Sequence, residues 1–222
     1  MTTMTLSYAD VIKNSIDHLP AGGVLLMQNV QWDDYAELVE GMNGQNGLRI
    51  TYLKGGLEVM SPLPNHEKYK ELLSDLARLI SYETGIALEK LGSTTFNKEW
   101  LYNGVEPDTC FYIQNASKII GKNRIDLAVD PPPDIAVEID ISHRSTTKLK
   151  IYEELKVPEI WLYDEQQLHI FLLSENGYIA SPTSQSFPFL TSEALTHFLE
   201  LSKTLGQGAA LKAFREWVKT NL

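Results

Sequence analysis

The sequence predicts a mixed α/β fold in which helices flank a central mixed sheet, with a hairpin extension ahead of it. Three observations carry this. Short strand-like segments recur from residue 49 to residue 180, one long amphipathic helix falls between the first pair and the rest, and two more helices close the chain. The order is hairpin, helix, several strands, helix, strands, helices, which is not a regular alternation of strand and helix.

Residues 1–30 read as an irregular lead with one apolar patch, Gly23-Val-Leu-Leu-Met27. A short helix is predicted over 33–40, capped by Asp33 and ended by the glycines from Gly41 to Gly47. The segments 49–53 and 57–60, joined by Lys54-Gly-Gly56, form a hairpin pattern. Ser61-Pro-Leu-Pro64 stops the second strand. A helix over 66–83 follows, with Leu72, Leu73, Leu76, Leu79 and Ile80 on one face and Thr84-Gly85 at its end. Strands are then predicted near 87–91, 94–97, 106–113, 134–141, 159–163, 168–173 and 178–180. Helices are predicted at 146–155, behind a Ser145 cap, and near 192–200 and 208–219. The expectation is one domain over 1–222, with residues 1–30 as its lead and 191–222 as a C-terminal helical segment.

Composition sets limits. A chain of 222 residues that is 43 % hydrophobic can bury one substantial core. It contains no apolar run long enough to span a membrane and no secretory leader pattern at its start, which points to the cytoplasm. The single cysteine, Cys110, reads as a buried structural thiol. A net charge of −10 argues against a broad electrostatic grip on nucleic acid, although acids that hold a divalent ion would neutralise part of it.

The chemistry concentrates in Val105-Glu-Pro-Asp108 and in Pro133-Asp-Ile-Ala-Val-Glu-Ile-Asp140. Strand alternation puts Glu106, Asp108, Cys110 and Tyr112 on one face. It puts Ala136, Glu138 and Asp140 on another, opposite Ile135, Val137 and Ile139. Acids in a strand lined by isoleucines need compensation, either by Arg or Lys or by a cation with oxygen ligands such as Mg²⁺. In the following helix, Lys148, Ile151, Tyr152 and Leu155 share a stripe, so Lys148 leans toward the sheet. Lys150 lies on the face of Glu153 and Glu154 and is the second choice for the same role. Tyr152 and Trp161 read as core residues, and His18, His143, His169 and His197 lack metal-ligand spacing.

These motifs occur in order with Gly56-Leu-Glu-Val-Met-Ser-Pro62, His66-Glu67 and Val157-Pro-Glu-Ile-Trp161. Together they resemble the cyanobacteria-rich family of "putative restriction endonucleases", a branch of the PD-(D/E)XK nuclease superfamily, from about residue 30 to about residue 175. The resemblance implies a restriction-endonuclease-like core that hydrolyses DNA with Mg²⁺ or Mn²⁺. It maps the two superfamily acids onto Asp108 and Glu138 and would place a lysine at position 140. This chain has Asp140 there, and Lys148 stands as the relocated amine. A helix acid, Glu67 ahead of Glu71, would complete the site together with His66. Glu58 faces either the site or solvent.

The leading expectation is therefore a metal-dependent endodeoxyribonuclease acting as a homodimer. The C-terminal stripe of Leu211, Phe214, Trp217 and Val218 either serves as the dimer contact or packs on its own domain. The alternative is a catalytically silent nuclease-fold module for DNA binding or self-association, and hydrolysis of a small phosphate ester on the same acids is a third reading.

Overall fold

In the computed structural model, residues 8–42, 47–92, 94–140 and 146–222 are described. Two sheets organise them. The first forms around the predicted hairpin. Helix α1 (Tyr8–Asp17) leads into strand β1 (Val24–Met27), helix α2 (Trp32–Gly41), strand β2 (Arg49–Leu53) and strand β3 (Gly56–Met60). The described part of the N-terminal 30 residues, from residue 8 on, is thus not an irregular lead. Ile12 and Ile16, one helical turn apart, bury against Tyr35 and Leu38, and β1 pairs antiparallel with β3 along its whole length. Helix α2 begins one residue earlier than predicted, with Gln31 at the cap making no side-chain bond. Asp33 sits inside the first turn, where the helix dipole favours an acid.

Helix α3 (Pro64–Thr84) follows, with Pro at its first position and Gly85 in the left-handed conformation (φ 74°) at its end. Next come strands β4 (Glu89–Leu91) and β5 (Phe96–Lys98), a 3₁₀ turn (Glu99–Leu101), and strands β6 (Asn103–Val105) and β7 (Thr109–Tyr112). The strand expected over 106–113 begins only at Thr109, and the three residues before it connect β7 to β6 in the other sheet. Pro107 has no N–H with which to continue a ladder, and the chain crosses between the sheets at Glu106-Pro107-Asp108. This crossing puts Asp108 at the seam. Gly104 in β6 is needed for close approach, because a Cβ there would lie 1.9 Å from the Tyr35 hydroxyl.

The remainder is helix α4 (Ala116–Ile119), strand β8 (Ile135–Ile139), helix α5 (Thr146–Leu155), strands β9 (Glu159–Tyr163), β10 (Leu168–Ser174) and β11 (Gly177–Ser181), and helices α6 (Ser192–Leu205) and α7 (Gln207–Asn221). The predicted Ser145 cap and His143 lie outside the described residues. The first sheet has the order β1-β3-β2-β6-β5 and the second β11-β10-β9-β8-β7-β4. Every pairing is antiparallel except that of β8 with β9. A parallel pair needs a crossover, and α5 supplies it, which carries its residues back across β8.

Alternation along β8 divides the core as its sequence pattern requires. Ile135, Val137 and Ile139 join Leu72, Leu73, Leu76 and Trp161 under α3, α6 and α7. Ala136 faces the other way, with Cys110, Ile151, Tyr152 and Leu155 under α5. The α7 stripe is used on its own chain: Phe214 and Val218 are fully buried, and Leu211 and Trp217 pack against the same core. Each fully buried aromatic or aliphatic side chain of this kind contributes about 1.5–3 kcal/mol. Cys110 is buried, its thiol donates to the Leu91 carbonyl at 3.3 Å, and burial pushes its pKa well above the ordinary value. Among the described residues, no helix is long and apolar enough to cross a membrane.

Candidate active site

Asp108 is almost wholly buried at the seam between the sheets. Its Oδ1 accepts from Arg49 Nε at 3.0 Å, and its Oδ2 accepts from the Ile139 backbone N–H at 2.8 Å, one residue past Glu138. Asp108 itself donates its backbone N–H to the Val137 carbonyl at 3.1 Å, so the two acids sit where β7 meets β8. Glu138 projects to the α5 side. Its Oε2 accepts from Lys148 Nζ at 2.5 Å, and its Oε1 accepts a short hydrogen bond from the Tyr152 hydroxyl. The helical stripe that predicted Lys148 accounts for this: Ile151, Tyr152 and Leu155 are buried, and Lys148, on the same side, keeps only 12 % of its side chain exposed. Lys150 is exposed.

Two residues of this arrangement escaped the sequence reading. Arg49 bridges the site, bonding Asp108 through Nε and Glu67 Oε1 through its second terminal nitrogen at 3.0 Å. A signal was present, since a charged residue opens a strand whose Ile50 and Tyr52 belong to the core, and it shares the opposite face with Thr51. Tyr152 read as core and is core, but its hydroxyl is a ligand of Glu138. A buried phenol normally needs such a partner, which sequence spacing cannot identify.

The supporting candidates separate. Glu67 pairs with Arg49 and Lys70, whereas Glu71 lies beside Lys70 and Lys90, away from Arg49. Glu58 is half-buried, stands across from Thr51 in the β2–β3 ladder, and adds to the field felt by Lys148. Asp140 follows β8 directly and donates its backbone N–H to the Tyr163 carbonyl at 2.8 Å. His66 is 4 % exposed, and neither ring nitrogen has a hydrogen-bond partner among the described residues.

The electrostatics show an excess of acid. Burial, reinforced by Asp108 and opposed by Lys148, pushes Glu138 up to about 7. Lys148 goes up as well: burial works against its charge, but the Glu138, Asp108 and Glu58 carboxylates outweigh burial. Arg49 rises for the same reason, with burial opposed by Asp108, Glu106 and Glu67. Burial lowers His66, so its imidazole is neutral at pH 7.

A divalent ion fits this donor set chemically. Asp108 and Glu138 offer four carboxylate oxygens, each taking one protein hydrogen bond and each keeping a further lone pair. Two buried carboxylates completed by water suit Mg²⁺ or Mn²⁺. Among the described residues no group of three or more His, Cys, Asp or Glu is arranged around one point, so the ion would rest on these two acids and on water.

A mixed sheet with helices on both sides and an acid–acid–lysine cluster at a strand junction defines a restriction-endonuclease-like fold. Residues 32–204 match the model of the Uma2 family, described as "Putative restriction endonuclease", and the chain belongs to that family. Among solved structures it is similar to one described as a "putative nuclease belonging to DUF820" from Anabaena variabilis ATCC 29413. That likeness has a TM-score of 0.52 at 18 % identity and covers 77 % of this chain and 99 % of the other. It concerns the fold. No curated protein matches the chain.

Proposed function

We propose that the protein is a metal-dependent endonuclease that hydrolyses DNA phosphodiester bonds, with Asp108 and Glu138 as the ligands of Mg²⁺ or Mn²⁺ and Lys148 as the catalytic amine. The observation that carries this reading is the 2.5 Å bond from Lys148 Nζ to Glu138 Oε2, with Asp108 beside them. A helix supplies the amine that the strand, followed by Asp140, does not.

When bound, the ion would polarise the scissile phosphate and lower the pKa of a coordinated water. The chain's own groups position and balance charge. Arg49 and the Ile139 N–H fix the Asp108 carboxylate, and Tyr152 fixes that of Glu138. Lys148, held protonated by its carboxylate neighbours, donates to the attacking water and to the charge that develops on the phosphate. His66, Glu67, Glu58 and Asp140 are supporting residues around this core. Cutting both strands of a duplex would take two copies of the site.

The test is cleavage of supercoiled plasmid in Mg²⁺ or Mn²⁺. The wild type should nick and linearise it, and Asp108→Ala and Lys148→Ala should each lose roughly 10²–10³-fold in rate, the usual cost of removing one electrostatic contributor. Equal cutting by all three proteins would overturn the assignment. One observation favours a second reading, that of a silent nuclease-fold module: every oxygen of the two acids already has a protein donor, in a chain with net charge −10. That module would bind no divalent ion at millimolar concentration.

A further inference from the structure

At the far end of β2 from Arg49 lies an open pocket of about 340 Å³ that the cleavage chemistry does not use. Its walls are aromatic. Trp32 meets Tyr52 edge-on at 5.7 Å between ring centroids and Tyr102 at 6.1 Å and 88°, while Tyr52 stacks on Tyr35 at 4.5 Å. Tyr52 is anchored by its hydroxyl, which donates to the Val30 carbonyl at 2.9 Å. Tyr102 is 55 % exposed, and two residues before it Trp100 is 61 % exposed, with Lys98 Nζ 5.8 Å from its ring.

The backbone around this pocket is held in a costly conformation. Asn29 (φ 61°), Lys54 (φ 47°) and Tyr102 (φ 48°) all line the pocket, and all are left-handed residues other than glycine. Two turn bonds fix them, from the Lys54 N–H to the Tyr102 carbonyl at 2.8 Å and from the Val30 N–H to the Gly55 carbonyl at 3.0 Å. Tyr102 is the left-handed residue that closes the 3₁₀ turn, and with more than half its surface in water its ring is presented outward beside Trp32.

Charge narrows the ligand. Lys54 stands at the rim but pairs with Glu154 at 3.1 Å, and Asp33 and Asp34 occupy the first turn of α2. A phosphate would therefore gain little inside the pocket and would lie outside it, whereas an uncharged planar ring finds aromatic faces there. The volume suits one such ring system and lies at the small end of ligand sites.

We propose that this pocket takes an unpaired nucleobase, stacked on the Tyr102 ring with its edge against Trp32, which stands perpendicular to Tyr102, so that the substrate carries a single-stranded segment beside the point of cutting. The inference rests on the nuclease reading of the site. The two places are linked through β2, whose Arg49 bonds Asp108 and which ends beside Lys54, a run of about 17 Å. They are linked again through α5, from Lys148 on Glu138 to Glu154 on Lys54, about 9 Å along the helix axis. At roughly 3.4 Å per nucleotide of a helical strand, that span is about three to five nucleotides.

The test uses the full chain in EDTA, where no cutting occurs, with a fluorescently labelled 12-nucleotide oligothymidine and a blunt duplex of equal length. Binding is read by anisotropy and by tryptophan quenching. The single strand should bind more tightly than the duplex and quench tryptophan. Tyr102→Gly, which removes the ring while relieving the left-handed strain, should weaken single-strand binding about tenfold, in line with one lost base stack. Tyr102→Trp should restore it, and Tyr82→Ala, which removes an exposed ring that does not line the pocket, should leave it unchanged. Equal binding by wild type and Tyr102→Gly, equal affinity for single strand and duplex, or no single-strand binding would overturn the pocket assignment. A plasmid-cleavage loss in Asp108→Ala and Lys148→Ala but not in Tyr102→Gly would then still support the nuclease reading, so the two can fail separately.

Discussion

The two buried acids at the strand junction are neighbours, yet they are balanced by different means. Asp108 is clamped from the other sheet by Arg49, a cation that does not titrate, and from its own sheet by a backbone N–H. Glu138 is met by an amine and a phenol, both delivered by one face of α5, and burial still pushes it up to about 7. The Asp108 half is therefore a fixed structural joint between sheets. The Glu138 half exchanges protons near neutral pH, and it is the half that carries the proposed catalytic amine.

Removing each cation should break that comparison most strongly. Arg49→Ala leaves a buried carboxylate with only the Ile139 N–H and releases Glu67, so it should destabilise the protein by about 3–5 kcal/mol in chemical denaturation. Lys148→Ala should cost less at pH 6 than at pH 8, because Glu138 can take up a proton in place of the amine. Equal costs at both pH values would show that Glu138 does not titrate in this range.

The next effect sharpens the proton-exchanging half. Glu138 has a folded pKa above its ordinary 4.5, so the folded state binds more protons there than the unfolded state does. The stability this contributes is fully present below pH 4.5 and is lost as pH rises to about 7. Measured without metal, wild type should lose on the order of 3 kcal/mol relative to Glu138→Gln across that window, since one pKa unit is worth about 1.4 kcal/mol. A flat difference between the two proteins would contradict the shift.

The smallest effect concerns His66, whose ring nitrogens are buried without partners. His66→Leu should stabilise the metal-free protein by about 1–2 kcal/mol, because an unsatisfied buried polar group costs about that much. A loss of stability would mean that the imidazole has a partner in solution.

What the sequence could and could not reveal follows the same division. Helix α5 was legible to its end residues, and its stripe placed Lys148 and Tyr152 on one side, because a 3.6-residue period is a local property. Strand β9 was legible over its whole length for the same kind of reason. The Arg49–Asp108 joint was not, since it links residues 59 apart through two different sheets and depends on where Pro107 sends the chain. Helix α1 escaped because its buried stripe is sparse, with Ile12 and Ile16 as its core contribution. Glu138 and the amine were readable from strand parity and helix period and Asp108 from the family resemblance, whereas the arginine that holds Asp108 was a matter of topology.

The most direct test of the account is calorimetric titration of the intact protein with Mn²⁺, comparing wild type with Asp108→Ala and Glu138→Ala. The account predicts a site in the wild type that either substitution abolishes. Absence of binding up to millimolar Mn²⁺, or binding that survives in both variants, would contradict it.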